Sequence, residues 1–153
     1  MTKKLHTLLL LSIFYCINAF AQSNPTPLPI TWKDLSKIEW NNYFDELLAM
    51  NVEEGNFDES IHQLEGQILE IEGYIIPVDT DANTMVLSQF PYANCFFCSG
   101  TVGPETIIRL TMKKDLELLN KKVRVKGKFN LHDKAFDRLY YQLEEAEVTE
   151  VIK

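Results

Sequence analysis

The sequence predicts a mainly β protein, a five-stranded OB-like barrel preceded by a short helical segment, and three observations carry that reading. From Leu64 onward apolar residues recur at every second position, the period of a half-buried strand. Five such stretches follow one another, with a helix-sized link between the third and the fourth. Two of them echo each other: Leu64, Leu69, Ile71, Gly73 and Ile75 return as Leu118, Val123, Val125, Gly127 and Phe129 at a constant offset of 54. A glycine inside a strand marks a bulge or sharp bend, the device that curls a sheet into a barrel.

The first 21 residues stand apart from this domain. Lys3 and Lys4 form a positive start, Leu8 to Ile17 a mostly apolar core, and Ala19-Phe20-Ala21 an A-x-A cleavage site, which together predict a signal peptide ending at Ala21. The apolar run is too short to span a bilayer, so no integral membrane segment is expected after cleavage. Cys16 would leave with the signal; the bulky Tyr15 before it does not fit a lipoprotein acceptor. The expected location is secreted, in the periplasm.

Residues 22–30 hold three prolines and read as a flexible lead-in. Residues 31–63 read as a helical lead-in packing on the barrel. Leu35, Ile38 and Trp40, then Phe44, Leu47 and Leu48, recur at helical spacing, and Asn51 to Glu59 is acidic and turn-like.

Residues 64–153 form the expected barrel. Leu69, Ile71 and Ile75 alternate with Glu70, Glu72 and Tyr74 in a first strand ending at Pro77. Asp79 to Asn83 is a hairpin turn. Met85 to Phe90 is a second strand and Thr106 to Met112 a third. Leu116, Leu118 and Leu119 give Lys113 to Asn120 the apolar side of a short helix. Lys121 to Leu131 is a fourth strand, Asp133 to Leu139 a loop or single turn, and Tyr140 to Val151 a fifth.

Removing Lys3 and Lys4 takes the formal charge from −7 to −9. That balance argues against nucleic acid as a partner, because a polyanion is bound by concentrated positive charge. The fourth strand does carry Lys122, Arg124, Lys126 and Lys128 on its outer face. In an OB topology its neighbour is the first strand, whose outer face carries Glu70 and Glu72. Cross-strand pairing on a solvated face is therefore the expected role of the stripe. Glu144, Glu145, Glu147 and Glu150 read as another solvated face.

The stretch Asn94 to Glu105, NCFFCSGTVGPE, is the candidate site. Cys95 and Cys98 are the two cysteines left in the mature chain. Two thiolates three positions apart can hold a soft metal ion, and zinc or copper suits thiolate ligands. Gly100 would let the loop fold into a knuckle with backbone N–H groups aimed at the sulfurs. One C-x-x-C gives two of zinc's four ligands. His62, His132 and carboxylates such as Glu105 are the remaining candidates, or a homodimer could supply four thiolates from two loops. The alternative is a disulfide between Cys95 and Cys98, which an oxidising compartment favours. The ring so closed is short, and its entropic stabilisation would be at most about 2 kcal/mol before strain. The protein would then be a structural or protein-interaction module. Redox exchange is a third reading, disfavoured because Ser99 to Pro104 will not continue as a helix behind the thiols. Phe96 and Phe97 carry two readings: at least one points outward and, with Phe90 and Tyr92, offers a partner an apolar tip, or both cover the barrel end, since large apolar side chains usually find a core. No G-x-S-x-G, H-E-x-x-H or phosphate loop is present, so the expectation is a non-enzymatic module.

The runs Gly73-Tyr-Ile-Ile-Pro77, Val86-Leu-Ser-Gln-Phe-Pro91 and Cys95-Phe-Phe-Cys-Ser-Gly-Thr-Val-Gly-Pro-Glu105 resemble a family of small secreted bacterial proteins of unknown function with an OB-like barrel, in a Bacteroidota-type branch. The resemblance covers Trp32 to Val148, and its specific part is C-F-F-C-x-G-x-x-G-P-E. Some members of the wider family are encoded near zinc-responsive transport genes, which implies metal handling. Those relatives carry a Cys followed by His and a proline-rich loop where this chain has Cys95 to Cys98.

Overall fold

The computed structural model describes residues 26–78, 84–113, 115–133 and 139–153. The expected signal peptide, the turn at 79–83 and most of the loop at 133–139 lie outside them. Five strands close into a barrel: β4 (Ile68–Ile76), β5 (Thr84–Ser88), β6 (Ile107–Thr111), β7 (Lys122–Leu131) and β8 (Tyr141–Ile152). Their order is β4-β5-β6-β8-β7, and β7 returns to pair with β4. All neighbours are antiparallel except β6 and β8, which run parallel through Arg109↔Gln142 and Leu110↔Leu143. A third strand paired parallel to the fifth, with the fourth closing on the first, is the OB strand order the sequence predicts. A short β1 (Leu28–Pro29) lies parallel along the start of β4.

Alternation builds the core. In β4, Leu69, Ile71 and Ile75 point inward and are at most 2 % exposed. In β7, Val123, Val125 and Phe129 are fully buried. The two echoing strands face each other, Leu69 opposite Gly127 and Gly73 opposite Val123. Each glycine admits a close crossing. A Cβ on Gly73 would stand 2.7 Å from the Ser88 carbonyl, and one on Gly127 2.9 Å from the Glu144 carbonyl. The second crossing coincides with a bulge in β8, where the register slips between Lys126 and Lys128 and Glu145 takes φ 49°.

The link between β6 and β7 is shorter than the expected helix. It holds one 3₁₀ turn, Leu116–Leu118, started by Asp115, whose carboxylate accepts from the Glu117 N–H at 2.9 Å. Asn120 then takes the left-handed region at φ 63° and turns the chain into β7.

The expected helical lead-in at 31–63, one or two short helices packing on the barrel, is corrected in its middle part. It contains two one-turn helices, α1 (Trp32–Leu35) and α2 (Glu59–His62), and between them a hairpin of β2 (Ile38–Asp45) and β3 (Met50–Phe57). Asp34 reaches back to the Thr31 N–H at 2.9 Å and Asp58 caps the Ser60 N–H at 2.9 Å, so each helix has a defined start. The spacing of Phe44, Leu47 and Leu48 comes from a strand end and a turn, not a helix face. Asp45 accepts from the N–H groups of Leu47 and Leu48 at 2.8 and 2.9 Å, which folds the chain back. Gly55 sits opposite Trp40 and leaves room for its ring, 3.2 Å from where a Cβ would be. Leu35, Phe57 and Ile61 are buried in the same core as the barrel strands. The Trp32 indole N–H also donates to the Glu72 carbonyl at 2.7 Å.

The basic stripe pairs with acids. Arg124 bridges Glu72 and Glu150, each at 2.5 Å; Lys122 reaches Glu72 at 3.2 Å and Lys126 reaches Glu147 at 3.0 Å. Glu70 accepts instead from the Thr149 hydroxyl at 3.3 Å. Among the described residues no helix is long and apolar enough to cross a membrane.

Candidate thiol site

The connection from β5 to β6 carries the two cysteines. Its base is pinned by the barrel. Ser88 is fully buried and its hydroxyl accepts from the Phe90 N–H at 3.1 Å, while the Gln89 N–H donates to the Thr106 carbonyl at 2.9 Å. A 3₁₀ turn at Tyr92–Asn94 then delivers Cys95 to the barrel wall. Cys95 is 0 % exposed and forms a small core with Ile76, Val86 and Ile107, covered by Val78, Phe96 and Leu139. Burial of one thiol in an aliphatic cluster is unremarkable for cysteine, one of the most buried residue types.

Cys98 lies on the other side of one helical turn, α3 (Phe96–Ser99), and is exposed. The turn is held by the Cys95 carbonyl, which accepts from the N–H groups of Cys98 and Ser99, both at 3.0 Å, and from the Ser99 hydroxyl at 3.2 Å. These two N–H groups are therefore spent on an oxygen, not aimed at a sulfur as the knuckle expectation required. Gly100 ends the turn in the left-handed region at φ 62°. The turn places the two sulfurs 3.0 Å apart, in hydrogen-bond contact, with both cysteines as free thiols.

That contact sets the chemistry of Cys98. The Cys95 thiol beside it and partial desolvation push its pKa up, and a hydrogen bond from the Tyr92 hydroxyl pulls against them. The same bond raises the pKa of Tyr92. Phe96 packs inward and Phe97 outward, their rings meeting edge to face at 5.3 Å. Tyr92 and Phe97 are thus the apolar surfaces presented beside Cys98, and Tyr92 also touches the chemistry, which its aromatic character alone did not signal.

The other candidate ligands do not gather here. Among the described residues no three of His, Cys, Asp and Glu come together where they could hold a metal ion. His132 engages Gln142 through Nε2 at 2.8 Å, and His62 lies against the ring of Phe57 at 6.5 Å. Glu105 folds back over Gly103, where a Cβ would overlap its carboxylate, and its Oε2 is buried with no hydrogen-bond partner among the described residues. Its charge adds to burial in raising the Tyr141 pKa. Among the described residues one chain therefore brings two thiols, and no third ligand, to this point.

No family model matches the chain, and no curated protein matches it. Among solved structures, the crystal structure of a DUF3299 family protein from Pseudomonas aeruginosa is similar in fold. The two share a TM-score of 0.54 and 14 % identity over 83 % of this chain and 95 % of the other. The chain therefore shares its fold with a member of an uncharacterised family.

Proposed function

We propose that the chain is an exported, non-enzymatic barrel module whose working part is the loop Cys95–Glu105, with Cys95 and Cys98 as a thiol pair that closes to a disulfide. The observation that carries this is the 3.0 Å contact between a buried and an exposed sulfur. Closure needs a short side-chain movement, because the helical turn already holds the two cysteines together. The co-reactant is an external disulfide. The Cys98 thiolate attacks one of its sulfurs and releases the first thiol; the Cys95 sulfur then attacks Cys98 in the mixed disulfide and releases the second. Both cysteine protons end on the two released thiols. The signal-peptide pattern at 1–21 supports delivery to a compartment where such disulfides persist. The closed loop would fix Tyr92 and Phe97 as a contact surface for a protein partner.

A second reading, capture of zinc or copper, is favoured by the meeting of the two thiols, one buried and one exposed. Cu(I) accepts two thiolates, whereas zinc would require a homodimer that pools four. Intact-mass spectrometry under non-denaturing conditions, on protein recovered from the exported fraction, decides between them. A mass about two daltons below the reduced chain supports closure. A bound zinc or copper that disappears in the Cys95→Ser/Cys98→Ser variant replaces it with metal capture. Two free thiols without metal overturn both.

A further inference from the structure

The β2–β3 hairpin ends in a group of large apolar side chains that the barrel does not cover. Leu47 is 93 % exposed and Phe44 59 %, and Tyr43, Leu48 and Met50 are each between 42 and 55 % exposed. Single exposed hydrophobics are ordinary, but five within eight consecutive residues form a patch. Of the hairpin, Phe57 and Ile38 belong to the main core or pack on it. Trp40 meets Tyr140 at 5.9 Å near the base, and the tip lies beyond both. A two-stranded ribbon is marginal by itself, and its outer edges are open to pairing. This ribbon is held at its base, while its far end places its largest apolar groups in solvent.

Charge identifies the kind of partner. From Ile38 to Phe57 the chain carries Glu39, Asp45, Glu46, Glu53 and Glu54 and no Lys or Arg. An acidic ribbon with an apolar tip is repelled by an anionic lipid surface. It is also poorly matched to a second copy of this chain, whose net charge is −7 and whose Lys122, Arg124 and Lys126 are already bridged to its own glutamates. A protein groove with an apolar floor and a rim of Lys and Arg would take the tip and neutralise its shoulders.

We propose that residues 43–50 are a docking element that inserts into an apolar, basic-rimmed groove of a different protein. This surface is independent of the thiol loop, and its test leaves Cys95 and Cys98 untouched.

The test starts in the cells that make the protein, with a photo-crosslinking amino acid at Leu47 and, as control, at Leu116, which is exposed on the barrel. The expected result is one adduct at Leu47, absent at Leu116, whose added mass belongs to a different polypeptide. That polypeptide, identified by mass spectrometry and purified, should bind the full chain. Its affinity should fall at least about tenfold in Leu47→Ser/Leu48→Ser, as for an interface anchor. A fall of similar size is expected in Glu53→Lys/Glu54→Lys and on raising salt from about 0.05 M to about 0.5 M, as for a charged rim. Circular dichroism of each variant should match the parent, since the tip lies outside the core. Four results would overturn the proposal: no adduct above the Leu116 control, an adduct with lipid, an adduct with a second copy of this chain, or a purified partner whose binding ignores the charge reversals.

Discussion

The Tyr141 hydroxyl donates a 2.6 Å hydrogen bond to the Leu35 carbonyl, joining the last barrel strand to the first helix across 106 residues. Both residues are fully buried, and burial is the leading cause of the raised Tyr141 pKa. The Leu35 carbonyl belongs to the end of a one-turn helix, which leaves it few other partners. Tyr141→Phe keeps the ring packing on Phe129 and Phe57 but strands that carbonyl. We expect a loss of about 1–3 kcal/mol in urea denaturation with an unchanged m-value. A change below a few tenths of a kcal/mol would mean that water reaches the carbonyl.

The close crossing at Gly73 makes a sharper prediction. A methyl there meets backbone as well as a side chain, the Ser88 carbonyl at 2.7 Å and Leu87 Cγ at 2.8 Å, and backbone cannot rotate away. Gly73→Ala should cost about 1–3 kcal/mol through overpacking. Gly66 provides the contrast, because nothing lies within 4 Å of its Cβ position and only its φ of 76° opposes substitution. Thermal unfolding of the two variants side by side separates steric crowding from backbone strain.

These two positions also show what was legible in the sequence. The barrel strands were readable because burial on one face imposes a period of two, and Gly73 and Gly127 broke that period at corresponding points. The hairpin was not, because Phe44, Leu47 and Leu48 have helical spacing by coincidence of a strand end and a turn. The features that select the hairpin, Gly55 beneath Trp40 and Phe57 against Tyr140, are contacts between distant residues. The thiol loop was readable from its C-x-x-C. Which sulfur is buried was not, since that depends on Ile76, Val86 and Ile107 from three different strands.

The Glu72–Arg124–Glu150 cluster lies on the surface, with side chains 37 to 51 % exposed, so its effect should be small. Glu72 has its pKa lowered, first by the Arg124 hydrogen bond and then by Lys122. A carboxylate held below its unfolded value stabilises the fold above that value, about 4.3, and loses the contribution as pH falls through the folded pKa. Glu72→Gln should therefore lower stability at pH 7 by no more than about 1 kcal/mol, with the difference shrinking in acid and in salt. A pH-independent loss would point to packing instead.

The thiol pair predicts an order of reactivity. Cys98 is exposed but its pKa is raised, chiefly by the Cys95 thiol, and Cys95 is fully buried. At pH 7 an unperturbed thiol is only about 3 % thiolate, and Cys98 should fall below that. Iodoacetamide should modify Cys98 slowly at pH 7, about tenfold faster for each pH unit until the folded pKa is passed, and Cys95 only after unfolding. Tyr92 provides the discriminating variant. Its hydroxyl pulls the Cys98 pKa down, against the Cys95 thiol. Tyr92→Phe should shift the alkylation profile of Cys98 to higher pH and slow the reaction at neutral pH, although the side chain is no larger. If removal of the hydroxyl merely opened access to the sulfur, the rate would rise at every pH without a shift of the midpoint. A slower, shifted profile would identify Tyr92 as the residue that poises Cys98 for exchange.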